Sequence, residues 1–157
     1  MALLGYDPSM GHAAQKVIFG HSQLPGRTLG LKAKNSGELI RQVGRGFSFH
    51  LLAAFEARSG ISLAEIAAIV GIPPRTLARR KSSGRLTSDE SEKLLRLSSV
   101  FEQAVELFEG DEAGARRWLT TAKKALENQT PLEYSRTELG AREVENLIGR
   151  LEHGVFV

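Results

Sequence analysis

The sequence predicts an all-α protein in which an N-terminal helix-turn-helix bundle is joined by a long helix to a small helical C-terminal domain. Three observations lead to this fold class: apolar residues recur at steps of three and four, Ser, Thr or Asp precedes most of these periodic segments, and only 6% of the 157 residues are aromatic. We expect an irregular glycine-rich arm over residues 1–35, with a short strand over 16–19, then a helix-turn-helix domain over 36–108 and a C-terminal domain over 109–157.

The first two helices are bounded by ordinary start and stop signals. A helical pattern begins at Ser36 and is expected to end at the Gly-Arg-Gly break at residues 44–46. Ser48 is a suitable N-cap for a second helix over residues 49–58. The Ser59-Gly60 pair then ends that helix.

The next two helices are short and follow each other closely. Ser62 with Glu65 three residues later is the signature of a capping box, and Gly71 ends the helix that it opens. Pro74 occupies a first-turn position, where its missing N–H costs nothing, and opens a fourth helix that continues to Lys81. Two short helices joined by a glycine turn predict a helix-turn-helix motif.

The longest predicted helix begins at a second capping box, Thr87 with Glu90, and runs to about residue 108. Its apolar stripe consists of Leu94, Leu97, Phe101, Ala104 and Phe108. Two coverings of this stripe are open. A second copy of the chain could pack on it, or the last helix of the same chain could cover it through Val144, Leu147 and Leu151.

Three shorter elements complete the C-terminal half. Asp111 is a suitable N-cap for a helix, and Thr130-Pro131 starts a further short turn. A final helix is predicted over residues 141–151, and Gly154 ends it.

The composition excludes several classes of protein. Without cysteine the chain can form no disulfide, thiolate-bound zinc site, iron–sulfur cluster or cysteine nucleophile. The four histidines are scattered, without the spacing of a metal site, and no phosphate loop or nucleophile motif is present. We therefore expect no enzyme, metal or cofactor. No apolar run approaches the roughly 20 residues that span a bilayer, so a cytoplasmic protein is expected.

Charge is distributed unevenly and indicates two different partners. Residues 1–60 carry a net charge of +4, residues 61–87 also carry +4, and residues 88–157 carry −5. The basic charges concentrate in the second helix of the helix-turn-helix motif, which could enter the major groove of DNA, although the same motif also occurs as a packing or dimerisation unit. The candidate DNA-binding residues are Arg75, Thr76, Arg79, Arg80, Lys81 and Arg85. Because one such helix makes few base contacts, we expect a homodimer on operator DNA.

Several motifs together carry a family resemblance. In chain order they are residues 75–81, Gly84-Arg85-Leu86-Thr87, Glu90-Ser91, Leu94, Arg96-Leu97, Trp118-Leu119, Thr130-Pro131-Leu132, Thr137-Glu138, Gly140, Val144 and residues 151–156. From about residue 39 to its end the chain resembles antitoxins of the Xre/MbcA/ParS type, in which a helix-turn-helix region precedes a toxin-binding domain. It departs from them in its longer arm and in Pro73-Pro74 at the start of the recognition helix.

The resemblance implies an antitoxin whose C-terminal domain blocks the substrate pocket of a RES-domain toxin that consumes NAD, and which represses its own operon. A chain end can reach into a pocket that a helix face cannot. The candidate toxin-binding residues are therefore Arg150, Glu152, His153, Gly154, Val155 and Phe156. For Arg150 the alternative is a surface position favoured by the helix dipole. The alternative for the whole chain is a stand-alone DNA-binding transcriptional regulator without a toxin partner.

Overall fold

The computed structural model describes residues 23–154, and within this range the chain forms eight α-helices and no β-strand, which confirms the all-α prediction. The helices are α1 (Ser36–Arg45), α2 (Phe49–Ser59), α3 (Leu63–Val70), α4 (Pro74–Ser83), α5 (Ser88–Leu107), α6 (Glu112–Leu119), α7 (Pro131–Tyr134) and α8 (Glu138–Glu152). Short 3₁₀ helices lie at Arg27–Leu29 and Lys124–Leu126. The strand predicted over residues 16–19, and the candidates Val155 and Phe156, lie outside the described residues.

Polar side chains cap several helices at the positions that the sequence predicts. Each predicted cap accepts a hydrogen bond from a backbone N–H two or three residues later, which satisfies an amide that has no partner inside the helix. The confirmed caps are Ser48, Ser62, Thr87 and Asp111. Thr130, where only a turn was predicted, caps α7 in the same way. At Thr87 the capping box is complete, because the Glu90 carboxylate also accepts from the Thr87 N–H (3.1 Å). The box predicted at Ser62 forms only in part: the Ser62 hydroxyl accepts from the Glu65 N–H, but the reciprocal bond to the Glu65 carboxylate is absent among the described residues.

The last helix begins earlier than its apolar period indicates. The prediction started it at residue 141, whereas α8 begins at Glu138. The reason is a cap that the prediction did not use: the Thr137 hydroxyl accepts from the Gly140 N–H (3.0 Å). This bond adds most of a turn before the first buried apolar residue.

Part of the N-terminal arm is more regular than predicted. Leu29 is buried, with only 1% of its surface exposed, and it belongs to the 3₁₀ turn Arg27–Leu29. The Glu102 carboxylate on α5 accepts from the Thr28 N–H (2.8 Å), the Thr28 hydroxyl (2.9 Å) and the Gly26 N–H (3.2 Å). This segment is therefore held by a residue more than 70 positions away.

Helix α5 is the centre of the fold, and it packs most extensively against α8 and α6. Its stripe is covered inside one chain, since four of its five members are buried: Leu94, Leu97, Phe101 and Ala104. Val144 and Leu147 of α8 are buried as predicted for that covering, but Leu151 is 37% exposed and does not take part. A second copy of the chain is therefore not what covers the stripe.

Candidate functional site

The turn between α3 and α4 has helix-turn-helix geometry. Gly71 follows α3 in the left-handed conformation (φ +81°), and its N–H donates to the Ala68 carbonyl (3.2 Å). The Ile72 N–H donates to the Ala67 carbonyl (2.8 Å), which completes a Schellman C-cap. Ala67 and Ile72 are buried, whereas α4 has no fully buried residue. The turn therefore fixes α4 on the core and leaves most of that helix in solvent.

One face of α4 points outward and is basic over the first six residues of the helix. Arg75, Arg79 and Ser82 stand at positions i, i+4 and i+7, so they share a face, and all three are exposed. Between residues 23 and 154, neither arginine has an ion-pair or hydrogen-bond partner. The preceding Pro73 and Pro74 are the N-cap and the first residue of the helix, where a missing N–H removes no helical hydrogen bond. Two guanidinium groups are thus available to a partner.

The other candidates on α4 differ in their surroundings. Thr76 is half-buried on the flank of the helix, and Lys81 is exposed near its C-terminal end. The Arg80 Nε donates to both carboxylate oxygens of Glu90 (2.9 Å each), so Arg80 joins α4 to the start of α5. Sequence reasoning did not indicate this contact, and the role of Arg80 in DNA binding stays a prediction.

The same contact shifts the ionisation of both groups. Burial raises the pKa of the Glu90 carboxyl, but hydrogen bonds from Arg80 and from the Thr87 N–H outweigh burial, so the net pKa lies below its usual range. The hydrogen bond to Glu90 raises the pKa of Arg80. Glu90 therefore remains ionised at neutral pH and serves both as a cap and as an ion-pair partner.

Substitution of Glu90 by Gln is expected to lower the stability of the protein at neutral pH. Gln also serves at this capping-box position, so the change removes mainly the charge. A carboxyl whose pKa is lowered by folding stabilises the protein fully above its unfolded pKa of about 4.3, and this contribution is lost as the pH falls through the folded-state pKa. The urea midpoints of E90Q and the unaltered protein should therefore differ most near neutral pH and converge on acidification.

The control for this prediction is Asp89→Asn. Asp89 is an exposed neighbour that pairs with Lys93 across one helical turn, so its loss should change the midpoint little at any pH. A gap between E90Q and the unaltered protein that stayed constant down to about pH 3, below the usual carboxyl range, would contradict an ionic contribution of Glu90.

Arg85 lies beyond α4, and one nitrogen of its guanidinium is held by hydrogen bonds. Its Nη1 donates to the backbone carbonyls of Gly46 (2.8 Å) and Arg45 (3.3 Å), at the end of α1. The residue as a whole is exposed. The structure thus brings Arg85 beside α1, a neighbour that the sequence did not predict for it.

The predicted toxin-binding residues that the structure describes lie at the end of α8. Three of them are exposed there: Glu152, His153 and Gly154. Arg150 is half-buried in the last turn, and its Nε is buried without a hydrogen-bond partner among the described residues. This end of α8 therefore presents polar groups of both charges.

The sequence did not predict one contact between the two halves of the protein. Arg136, in the loop before α8, donates from Nη2 to the Ala68 carbonyl of α3 (3.2 Å). Its own carbonyl accepts from Arg96 of α5 (3.3 Å). With Gly71 and Pro74 of the helix-turn-helix, Arg136 lines an apolar groove of about 410 Å³. No local pattern could reveal this contact, because Arg136 and Ala68 are 68 positions apart.

The described residues lack two features of other protein classes, a cluster of metal ligands and a membrane-spanning helix. Residues 23–154 contain no group of three or more His, Asp or Glu side chains placed to hold a metal ion. His50 is exposed on α2, in agreement with an ordinary surface role. No helix of the described part of the chain is long and apolar enough to cross a membrane.

Two family models match the chain, in the order of its two halves. The antitoxin Xre-like helix-turn-helix domain matches residues 38–99, which include the turn at Gly71 and the basic face of α4. The antitoxin Xre/MbcA/ParS C-terminal toxin-binding domain matches residues 103–154, which include α6, α7 and α8. The two matches meet inside α5.

Relatives named antitoxin Xre are similar over most of the chain. One from Yersinia enterocolitica is 42% identical over 131 residues, which cover 83% of this chain and 88% of the relative. One from Photorhabdus laumondii is 35% identical over 82% of this chain and 88% of its own length. One from Pseudomonas putida is 33% identical over 53% of this chain and 52% of its own length. With both domains matched in order and relatives of this extent, the chain belongs to the Xre/MbcA/ParS family of antitoxins.

Proposed function

We propose that this chain is the antitoxin of a type II toxin–antitoxin system, that it blocks the active site of a RES-domain toxin that consumes NAD, and that it represses its own operon. The observation that carries the proposal is the toxin-binding domain matched over residues 103–154, supported by relatives named antitoxin Xre. The RES partner is what the family resemblance implies. An inhibitor of this kind acts by binding, so the proposal requires no catalytic residue, metal or cofactor.

The end of α8 is the surface that we propose for the toxin. Glu152, His153 and Gly154 are exposed at the end of α8, where a partner can contact them. Arg150 is half-buried and its side chain makes no hydrogen bond among residues 23–154, so a toxin carboxylate that reached the solvent-facing part of its guanidinium would gain a charge-assisted hydrogen bond. The competing role of Arg150 is to offset the dipole at the end of its helix.

Arg150→Ala is expected to weaken toxin binding at least about tenfold, as for the loss of one hydrogen bond to a charged group, and to reduce rescue of cells that express the toxin. The matched control is Arg142→Ala, which removes an exposed arginine from the same helix; among the described residues, Arg142 pairs only with Glu138 one turn away. Calorimetric titration of the purified toxin measures both variants. A chain that ends at Gly154 should also bind more weakly than the full chain.

The outcomes of this experiment separate the alternatives. Unaltered affinity in both Arg150→Ala and the shortened chain would remove the end of α8 from the interface. Failure of the unaltered protein to bind a RES-domain toxin encoded beside it would contradict the proposal. Sequence-specific DNA binding without any toxin binding would instead support the stand-alone regulator.

The second part of the proposal concerns DNA. The Arg75→Ala, Arg79→Ala double variant is expected to abolish operator binding and to leave toxin binding intact, because each bidentate contact between an arginine and a guanine contributes about 1–3 kcal/mol. Arg80 is left unchanged because its loss would loosen α4 from α5. The control, Lys124→Ala with Arg142→Ala, also removes two exposed cations, but from the C-terminal half. Gel-shift titration of the operator measures the affinity of both double variants. Equal affinities would exclude α4 from the DNA interface.

We further propose that the chain binds DNA as a homodimer, so that two α4 helices reach half-sites about 34–36 Å apart. Because the apolar stripe of α5 is buried within one chain, the dimer must form through another surface. The first helix remains a candidate, because Ile40 on α1 is 69% exposed and is one of the few large apolar side chains in solvent among the described residues. Light scattering on the same preparations should give the mass of two chains at micromolar concentration, and a monomer mass would contradict the dimer.

A further inference from the structure

The end of α1 and the loop between α4 and α5 lie side by side. The Phe49 N–H donates to the Gly84 carbonyl (2.9 Å), and the Leu86 N–H donates to the Phe47 carbonyl (2.8 Å). Gly46 has φ +80°, and a Cβ at this position would lie 2.2 Å from the Leu86 carbonyl oxygen. Only glycine permits so close an approach, so the two segments form one fixed corner of the domain.

Three cations stand at this corner, and we call them the basic junction: Arg45, Lys81 and Arg85. All three are exposed, and in the part of the chain that the structure describes the side chains of Arg45 and Lys81 have no ion-pair or hydrogen-bond partner. Arg85 uses one nitrogen, Nη1, to bond the two carbonyls of residues 45 and 46. Its Nε and Nη2 make no bond within the same range, so the guanidinium is oriented and still has donors to offer.

The neighbouring carboxylates do not neutralise this charge. Glu90 is bonded to Arg80, and Asp89 pairs with Lys93 one turn along α5 (2.8 Å). The basic junction therefore keeps its positive charge for a partner outside the chain.

We propose that the basic junction binds backbone phosphates of duplex DNA beside the groove that α4 enters. This inference rests on the proposed DNA-binding function and extends it to a second surface. With the N-terminal half of α4 in the groove, its C-terminal end lies near the groove edge, where the phosphates run. A guanidinium held in place with two nitrogens available suits two phosphate oxygens. Arg75 and Arg79 would then read bases, whereas the basic junction would add affinity without sequence preference.

The test compares Arg45→Ala and Arg85→Ala with the unaltered protein by fluorescence anisotropy over a range of salt concentrations. Two probes are used: a duplex that the unaltered protein selects from a randomised library, and the unselected library itself. Loss of one phosphate contact should flatten the plot of log affinity against log salt by about 0.9 and weaken binding about fivefold near 0.15 M salt, equally on both probes. The control, Lys124→Ala, should leave affinity and slope unchanged.

Each outcome decides between distinct claims. Unchanged slope and affinity in both variants would overturn the inference, and so would a loss confined to the selected duplex, since that is the signature of base reading. Arg85→Ala also removes the bonds to α1. If circular dichroism shows that this variant does not fold, Arg45→Ala decides alone, because the exposed Arg45 side chain has no hydrogen bond or ion pair to lose in the described part of the chain. Failure of the unaltered protein to bind either probe would contradict the DNA-binding function itself.

Discussion

Replacing Phe101 by Ala is expected to lower the free energy of unfolding by about 3–5 kcal/mol, which is a large part of the stability of a small protein. Phe101 has no exposed surface, and its ring meets that of Phe55 edge-on, with centroids 5.6 Å apart and planes at 89°. The substitution removes apolar burial, leaves a cavity and deletes this aromatic pair. Urea unfolding followed by circular dichroism measures the loss.

Glu92→Ala is the matched control for Phe101→Ala, because Glu92 lies on the same helix but is exposed. Its effect should stay within about 0.5 kcal/mol. Phe55→Ala and the double variant complete a mutant cycle, and the two losses should not add, because the rings are in contact. A Phe101→Ala protein as stable as the Glu92→Ala protein would show that α5 is not the centre of the core.

Gly140→Ala is expected to destabilise the protein by about 3 kcal/mol, the upper range for overpacking. A Cβ at Gly140 would lie 1.8 Å from the backbone oxygen of Tyr134, and backbone cannot move aside as a flexible side chain can. Because Tyr134 ends α7 and Gly140 lies in the first turn of α8, the substitution must push these two helices apart. Thermal unfolding of the purified protein reports the change.

The same helix contains its own control. Gly149 also lies in α8, but a Cβ there would meet no atom within 4 Å. Gly149→Ala should therefore stabilise the protein by about 0.5–1 kcal/mol through the better helix propensity of alanine. Opposite signs for these two substitutions are the expected result. Two stabilised proteins would mean that α7 and α8 do not approach each other as described.

Local signals predicted the helices well because helix starts and stops depend on residues close in sequence. Ser48, Ser62 and Thr87 each bond an amide two or three positions away, so their role is visible in a short segment. The start of α8 was misplaced because the prediction followed apolar spacing and overlooked the cap at Thr137. Apolar spacing identifies the buried face of a helix better than it identifies its first turn.

Contacts between distant segments were beyond the reach of the same reasoning. Glu102 holds Thr28 across 74 positions, and Arg136 reaches Ala68 across 68. The sequence shows that Arg80 belongs to a basic helix, but only the fold places Glu90 beside it. Charge and family resemblance could thus indicate the candidate surfaces, whereas the division of the cations between internal bonds and open solvent needed the structure.

The continuity of α5 sets the distance and orientation between the two halves of the protein. The two family matches meet inside this helix, whose 20 residues extend about 30 Å. The orientation of a partner bound at the end of α8 would accordingly be fixed relative to α4. This orientation could change only if α5 were broken or lost its packing. A chimera that combines the two halves of different relatives would therefore have to keep the number of residues in α5. One added residue would rotate the C-terminal half relative to the N-terminal half by about 100°.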